Sequence, residues 1–189
     1  MATFKPLLIL VVGLPAAGKT SLATRLATDL AMPKIGKDEI KELLFDSLGW
    51  KDREWSVQLG AATFELLYLF IERALAAKSS IIVDADFSSP ERVAHKLNNM
   101  ITKYPCRVVR IQLVCDGNVL LERFKRRSED GTRHPGHVDH TNYEEFAPAL
   151  LKGRRAPLDI GGRVIEVDTT NFESIPYDTL FSQIREEAR

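Results

Sequence analysis

The chain has 189 residues, of which 44% are hydrophobic and 28% are charged. These proportions are typical of a single globular domain with a substantial core, and they exclude a disordered protein. Lys and Arg together number 26, as do Asp and Glu, so no overall positive field would attract a nucleic acid. Two cysteines are too few for a disulfide framework and fit a reducing compartment.

No segment has the length or pattern of a membrane or secretion signal. The apolar run near the N-terminus leads into a glycine-rich loop and not into a small-residue cleavage site. The most apolar helical segment, 66–71, is bounded by Glu65 and by Glu72, far short of the ~20 apolar residues that cross a bilayer. We therefore expect a cytoplasmic protein that does not bind membranes.

Apolar runs alternate with segments of helical periodicity along the chain, which predicts an α/β fold. Continuous apolar runs are typical of strands covered on both faces, and a sequence that alternates strands with helices favours a parallel sheet. The sequence therefore predicts one domain over residues 1–189, a three-layer sandwich around a parallel five-stranded sheet. The predicted strands cover 7–12, 33–36, 80–83, 108–114 and 163–167. The predicted helices cover 20–31, 38–48, 53–77, 90–104, 118–127 and 178–189.

The loop after the first predicted strand, Gly13 to Thr20, matches the phosphate-loop pattern G-x-x-x-x-G-K-[ST] at every defined position. Its glycines allow successive backbone N–H groups to turn towards phosphate oxygens, and the following helix N-terminus adds positive potential. A glycine-rich turn that binds nothing is the alternative. The context of strand, loop and helix favours a P-loop NTPase fold that binds ATP. The residues predicted to bind the nucleotide are Gly13, Ala16, Ala17, Gly18, Lys19, Thr20 and Ser21.

Two residues of this loop have individual predicted roles. Lys19 supplies a catalytic positive charge to the β- and γ-phosphates, and the Thr20 hydroxyl is a hard oxygen ligand for Mg²⁺. Asp84 follows the buried run 80–83, at the carboxyl end of a predicted strand, where ligands of such sheets bind. We predict Asp84 as a second Mg²⁺ ligand or an acceptor contact, with a loop-capping role as the alternative. For Asp86, a functional role and a loop-capping role are equally open.

Asp38 and Lys41 lie three residues apart in a predicted helix and therefore share a face. A carboxylate beside an acceptor hydroxyl can take its proton late in phosphoryl transfer, so Asp38 is a candidate catalytic base and substrate contact. Asp is also a favoured helix N-cap, and the two roles are compatible.

A group of arginines ends the fifth predicted helix, and a polar segment follows it. Arg123 and Arg127 are four residues apart, so both can face one site, and Arg126 and Arg133 lie nearby. Arginines on a segment that closes over the site would stabilise charge on the transferred phosphoryl group. A solvated helix C-terminus is the alternative. We predict a small mobile lid over about 123–142, with 128–141 as a surface segment.

The motifs together resemble the polynucleotide-kinase-like family of P-loop kinases, which includes AAA-type predicted kinases and chloramphenicol- and zeta-toxin-like phosphotransferases. The resemblance covers about 7–140 and rests on 13–20, 36–41, Asp84 with 90–92, and 123–127. It implies that Asp38 is the base, that Arg123 and Arg127 are lid arginines, and that a basic residue at position 41 holds the acceptor. The family often has Arg there, and Lys41 lacks its bidentate grip on a phosphate.

Two further polar clusters, 134–140 and 152–155, have less definite predicted roles. Pro135 and Gly136 break any helix that would align the histidines of 134–140, so contacts with substrate are favoured over zinc. The basic residues of 152–155 are expected in a solvated turn, with a phosphate contact as the alternative.

The sequence therefore predicts an ATP- and Mg²⁺-dependent phosphotransferase that acts on a hydroxyl of a small molecule. The alternatives are a polynucleotide 5′-hydroxyl kinase, which the neutral charge does not favour, and a regulatory nucleotide-binding module with little turnover. No Asn-Lys-x-Asp motif for guanine occurs. The acceptor, any protein partner and the oligomeric state have no signature in the sequence.

Overall fold

A computed structural model of the chain describes residues 5–139 and 143–188. Five parallel strands form its sheet, in the order β2-β3-β1-β4-β5. The order places β1 at the centre, between β3 and β4. The strands are β1 (Leu7–Val12), β2 (Lys34–Gly36), β3 (Ile81–Ala85), β4 (Arg107–Val114) and β5 (Arg163–Asp168).

Seven helices and two short 3-10 helices lie in the described residues, and six of the helices fall within two residues of the predicted ranges. The helix α6 was not predicted. The helices are α1 (Lys19–Leu30), α2 (Lys37–Leu48), α3 (Arg53–Ala76), α4 (Pro90–Lys103), α5 (Gly117–Glu129), α6 (Tyr143–Leu150) and α7 (Tyr177–Ala188). The 3-10 helices cover Pro135–His137 and Phe172–Ser174.

Two hydrophobic layers cover the two faces of the sheet. Alternate residues of β1 point to opposite faces: Ile9 and Val11 pack with residues of α1, α5 and α7, whereas Leu8 and Leu10 pack with residues of α3 and α4. All six residues of β1 are buried, as the continuous apolar run predicted. The predicted three-layer α/β sandwich is therefore confirmed.

The carboxyl ends of all five strands lie at one edge, because the strands are parallel. The register pairs Val11 of β1 with Asp84 of β3, and Gly36 of β2 with the same Asp84. The phosphate loop, Asp84 and the start of α2 therefore meet at this edge, where α/β sheets bind ligands. Within the described residues, no helix is both long and apolar enough to cross a membrane.

Candidate active site

The phosphate loop connects β1 to α1 in the way that its glycine positions require. Gly18 has a left-handed backbone (φ 83°) and immediately precedes α1. A side chain at Gly18 would also collide with the ring of Phe172, so both backbone conformation and space demand glycine. Gly13 packs against Leu113, and Ala17 is buried in the hydrophobic core. These two residues therefore anchor the loop to the core.

Lys19 and Thr20 both point from the first turn of α1 towards neighbouring polar groups. The Lys19 ammonium donates to the carbonyl oxygen of Leu14 at 2.9 Å, so the side chain curls back over the loop. Burial lowers the pKa of Lys19, and the charges of Asp84 and Asp86 oppose this shift. The Thr20 hydroxyl donates to Oδ2 of Asp84 at 2.6 Å.

Asp84 and Asp86 at the end of β3 have different environments. Asp84 is buried, and burial raises its pKa against the opposing effects of Lys19 and the Thr20 hydrogen bond. Asp86 forms a two-point ion pair with Arg155, through Nε and Nη2 of the guanidinium. Arg155 is therefore only 18% exposed at its side chain, unlike the solvated turn that the sequence predicted. The ion pair compensates the charge of each partner and makes this burial possible.

Asp38 lies in the first turn of α2, and its side chain does not cap the helix. The N-cap is Gly36, and Oε2 of Glu39 accepts its backbone N–H at 3.0 Å. The carboxylate of Asp38 instead accepts from Nη1 of Arg133 at 2.8 Å and from Nζ of Lys37 at 3.2 Å. Burial alone would raise the pKa of Asp38, but the positive charges of Lys37 and Arg133 hold it well below its usual range. The carboxylate is thus ionised at neutral pH.

Arg133 attaches the polar segment 133–139 to α2. Besides Asp38, its guanidinium donates to Oδ2 of Asp139 at 3.1 Å and contacts Nδ1 of His137 at 3.0 Å. Nε2 of His137 is 2.9 Å from Oε1 of Glu42, one turn beyond Asp38 on the same helix. His137 and Asp139 are buried, whereas the sequence predicted a surface segment. Charge pairing across the contact makes this burial possible.

The two described histidines of this segment contact different parts of α2. His134 stacks on Phe45 and lies 3.2 Å from a carboxylate oxygen of Asp46, whereas His137 contacts Glu42. His140 and the rest of 140–142, at the end of the predicted lid, lie outside the described residues. The closing motion of the lid remains a prediction.

Lys41 is a buried lysine on the wall that α2 and α3 share. Its side chain is 5% exposed, and its ammonium donates to the Ser56 hydroxyl at 2.8 Å. Burial, with a smaller contribution from Lys37, lowers the pKa of Lys41 to about 7. Within 5–139 and 143–188, no carboxylate oxygen lies within 4.0 Å of the Lys41 ammonium.

The two predicted lid arginines make different contacts. Arg123 donates to the carbonyl oxygens of Thr169 and Thr170, both at 2.8 Å, and its guanidinium lies over the ring of Phe172. For Arg127, Nε and Nη2 are buried and have no hydrogen-bond partner among the described residues. Its nearest carboxylate oxygen, on Asp139, is 3.6 Å from Nη2. Arg127 therefore retains donors for a ligand, whereas the donors of Arg123 hold the loop after β5.

These residues line one cleft of about 710 Å³. Its lining includes residues of the phosphate loop, Asp84, the first turns of α2, the N-terminus of α3 and segment 133–139. The volume is sufficient for a nucleotide with a small second molecule. The predicted site residues that line the cleft are Ala16, Gly18, Lys19, Thr20, Ser21, Asp38, Lys41, Asp84, Arg123 and Arg127.

Comparison with known proteins assigns the chain to a family. A family described as AAA domain matches residues 8–147. The chain belongs to this family. A crystal structure of a candidate kinase from Chloroflexus aurantiacus J-10-fl shares 36% sequence identity and has a TM-score of 0.87, with 97% of this chain and 98% of that chain covered. The resemblance to P-loop kinases is therefore confirmed, and the protein has a P-loop kinase domain.

More distant structures share the P-loop kinase fold alone. A sugar kinase from Janibacter sp. HTCC2649 is 15% identical with a TM-score of 0.53, covering 95% of this chain and 91% of that chain. The Pnkp1/Rnl/Hen1 RNA repair complex is 15% identical with a TM-score of 0.55, covering 85% of this chain and 50% of that chain. No curated protein matches the sequence.

Two residues that complete the cleft of this kinase domain lie beyond the region that the family matches. Arg155 pairs with Asp86, and Phe172 lies between Gly18 and Arg123. Neither belongs to a recognisable motif, and their partners are distant in the sequence. For Phe172, the one available hint in the sequence was its aromatic side chain in the loop after β5.

Proposed function

We propose that the protein is an ATP-dependent phosphotransferase that moves the γ-phosphoryl group to a hydroxyl of a small molecule. The observation that supports this most strongly is that Lys19 of the phosphate loop and an ionised, non-capping Asp38 line the same cleft. A protein that only binds nucleotides needs Lys19 and Thr20, but it has no use for a base at the acceptor side.

In this proposal the phosphate loop and α1 bind the polyphosphate of ATP through backbone N–H groups. Lys19 would exchange the carbonyl oxygen of Leu14 for phosphate oxygens. The donors of Arg127 that have no partner among the described residues would stabilise the charge of the transferred group. The guanidinium of Arg123, whose donors hold the loop after β5, would add its positive charge without donating to the phosphate. The neighbouring oxygens of Thr20 and Asp84 fit the hard-ligand preference of Mg²⁺, which would neutralise charge on the β- and γ-phosphates.

The acceptor hydroxyl would bind beside Asp38. Its oxygen forms a bond to the γ-phosphorus while the bond from that phosphorus to the β–γ bridging oxygen breaks, and ADP leaves. The hydroxyl proton passes to the carboxylate of Asp38. Because the pKa of Asp38 is low, it is a weak base, which suits a loose transition state where the acceptor oxygen becomes acidic late. We also propose a cytoplasmic location, since both cysteines are free thiols.

Transfer from γ-labelled ATP with Mg²⁺ tests the proposal directly. The acceptors are nucleosides, sugars, aminoglycosides, chloramphenicol-like alcohols and 5′-hydroxyl oligonucleotides. We expect a labelled product from at least one small acceptor. Transfer to oligonucleotides alone would favour the polynucleotide kinase alternative, and no calorimetric response to millimolar Mg-ATP would contradict the whole proposal.

The variant Asp38→Asn separates a kinase from a nucleotide-binding module. We expect kcat to fall by about 10²- to 10⁴-fold, the usual contribution of a general base, while the Kd for ATP changes little. Asp29→Asn, a half-exposed carboxylate on α1, is the matched control and should keep wild-type turnover. If Asp38→Asn turned over every accepted substrate at the wild-type rate, Asp38 would not be the base.

A further inference from the structure

Arg155 lines the cleft with a guanidinium that the protein uses only in part. It lies in the loop between α6 and β5, beyond the region 8–147 that the family matches. Nε and Nη2 donate to the two carboxylate oxygens of Asp86, so the side chain is held at two points. No described residue accepts a hydrogen bond from the third nitrogen, Nη1, which keeps contact with solvent. A guanidinium fixed in one orientation with a free nitrogen is suited to bind an anion.

The ion pair crosses the carboxyl end of the central strand. Asp86 follows β3, and the loop of Arg155 is attached just after β4, where the backbone N–H of Cys115 donates to the carbonyl oxygen of Gly153 at 3.0 Å. In the sheet, β1 lies between β3 and β4. Arg155 therefore reaches Asp86 past the end of β1, where the phosphate loop begins.

The charge of Asp86 acts on Lys19, whose ammonium lies over the phosphate loop. Of the carboxylates that oppose the lowering of this lysine's pKa, Asp86 is second only to Asp84 and ahead of Asp38. The positive charges that chiefly set the pKa of Asp38 belong to residues other than Arg155. The ion pair therefore lies towards the phosphate loop and away from the proposed base.

The chemistry of the phosphate loop restricts which phosphate Arg155 can meet. In such loops the backbone N–H groups enclose the α- and β-phosphates, and the lysine ammonium reaches the β- and γ-phosphates. The γ-phosphate is thus the one that the loop backbone leaves open. A donor that lies beside the loop and close to the lysine can reach this phosphate.

We propose that Arg155 binds the γ-phosphoryl group of ATP through Nη1, while Asp86 holds the guanidinium in place. This inference rests on the proposed phosphotransferase function, because it takes ATP as the phosphoryl donor. Arg123 and Arg127 belong to the predicted lid, whereas Arg155 is fixed outside it. A charge-assisted hydrogen bond to the γ-phosphate favours ATP over ADP by about 10- to 100-fold.

Nucleotide binding with and without the γ-phosphate tests this inference. Calorimetry at pH 7.5 with Mg²⁺ gives the Kd of ADP and that of the β,γ-imido analogue of ATP, and their ratio measures the preference for the γ-phosphate. Arg155→Met should lower this preference by about 10- to 100-fold. Arg154→Met, which removes the neighbouring exposed arginine and its ion pair with Glu166, is the matched control and should keep the wild-type preference.

Arg155→Lys separates a phosphate contact from a purely structural tie between the loop and β3. The lysine ammonium can still pair with Asp86, but the side chain ends one atom short of Nη1 and has no second nitrogen. We expect this variant to keep the thermal stability of the wild type and its Kd for ADP, and to lose the preference for the γ-phosphate as Arg155→Met does. If the lysine variant kept the wild-type preference, Arg155 would only tie the loop to β3, and the inference would be wrong.

Transfer assays with the same variants separate this inference from the proposed function. Transfer to an acceptor, with the preference for the γ-phosphate unchanged in both Arg155 variants, would overturn the contact and leave the phosphotransferase function in place. A preference that is lost in both variants of a protein that phosphorylates no acceptor would contradict the phosphotransferase function and leave the contact in place. No binding of either nucleotide to the wild type would overturn both.

Discussion

The charge state of Asp38 depends on a residue 95 positions away in the sequence, Arg133. The hydrogen bond between them fixes the direction of the carboxylate, and the charges of Lys37 and Arg133 together hold its pKa low, although desolvation would raise it. Arg133 itself contacts Asp139 and His137, so segment 133–139 holds it in place. Arg133 therefore acts through Asp38 as a positioning residue of the proposed reaction.

Removing this arginine should change how activity depends on pH. In Arg133→Gln the pKa of Asp38 rises, because burial remains while one stabilising charge is lost. The fall of kcat on the acid side should therefore begin at higher pH than in the wild type. The pH–rate profile of transfer from ATP measures this. Arg92→Gln, a 76% exposed arginine, should give the wild-type profile. An unchanged acid limb in Arg133→Gln would show that Arg133 does not influence the base.

Contacts between distant residues limited the prediction of the site. The loop 13–20 was predictable because its chemistry depends on residues adjacent in the sequence. Asp38 was predictable as a candidate, but not its partner, since nothing in the sequence connects it to Arg133. The pairing of Asp86 with Arg155, 69 positions apart, is of the same kind. The structure was needed to show which charges in the cleft remain unpaired.

At the scale of elements, the packing of α5 against α6 was the feature that sequence patterns did not reveal. Helix α6 has only eight residues and includes Pro148, so its periodicity was too short and too interrupted to recognise. An aromatic ring of α6 packs on α5: the ring centroids of Phe146 and Phe124 are 5.0 Å apart. The longer helices were predicted within two residues because each has several turns of apolar periodicity.

Two glycine substitutions should have opposite effects on stability. Gly117 begins α5, and a side chain there would overlap the backbone of Leu151, just after α6. Gly117→Ala should therefore destabilise the fold by about 1–3 kcal/mol, as overpacking does. Gly60 lies inside α3, and an added methyl group would approach the Lys41 side chain no closer than 3.7 Å. Gly60→Ala should stabilise the fold by about 0.5–1 kcal/mol through helix propensity.

Thermal unfolding without ligands measures both effects. For a domain of this size, about 1 kcal/mol corresponds to a Tm change of about 2–4 °C. We expect Gly117→Ala to lower the Tm and Gly60→Ala, the matched control, to raise it slightly. If Gly117→Ala unfolded at the wild-type temperature or above, the contact between α5 and the end of α6 would be looser than described.

For the whole molecule, the parallel sheet determines which distant residues meet. Buried apolar runs alternating with helices predicted the fold class, because that pattern depends on each segment alone. The strand order was not predictable in this way, since it depends on which segments pair across the chain. The order β2-β3-β1-β4-β5 brings Asp84 beside the phosphate loop and places Gly36, which precedes α2, beside Asp84.

The free energy of unfolding of the whole domain should depend on pH through Lys41. Its pKa is about 7 in the folded protein, whereas an unfolded lysine has a pKa of about 10.4. Between these values the unfolded state binds more protons, so the free energy of unfolding rises with pH, by at most about 1.4 kcal/mol per pH unit. Below pH 7 both states hold the proton and this contribution is constant. The charged or titratable groups around Lys41 are Lys37, Asp38, Arg53, Arg133 and His137.

Urea unfolding of the wild type and Lys41→Met from pH 6 to 9.5 isolates this contribution. Burial lowers the pKa of His137, and Lys41 adds a smaller contribution to this shift, so the comparison uses the range above about pH 7.5, where histidine is neutral in both states. The difference in free energy of unfolding, variant minus wild type, should decrease steadily with pH across that range. Lys96→Met, which alters a partly exposed lysine paired with Glu65, should follow the wild-type curve. Parallel curves for Lys41→Met and the wild type would mean that the buried ammonium keeps its proton across this range, and hence that an anionic partner already compensates it.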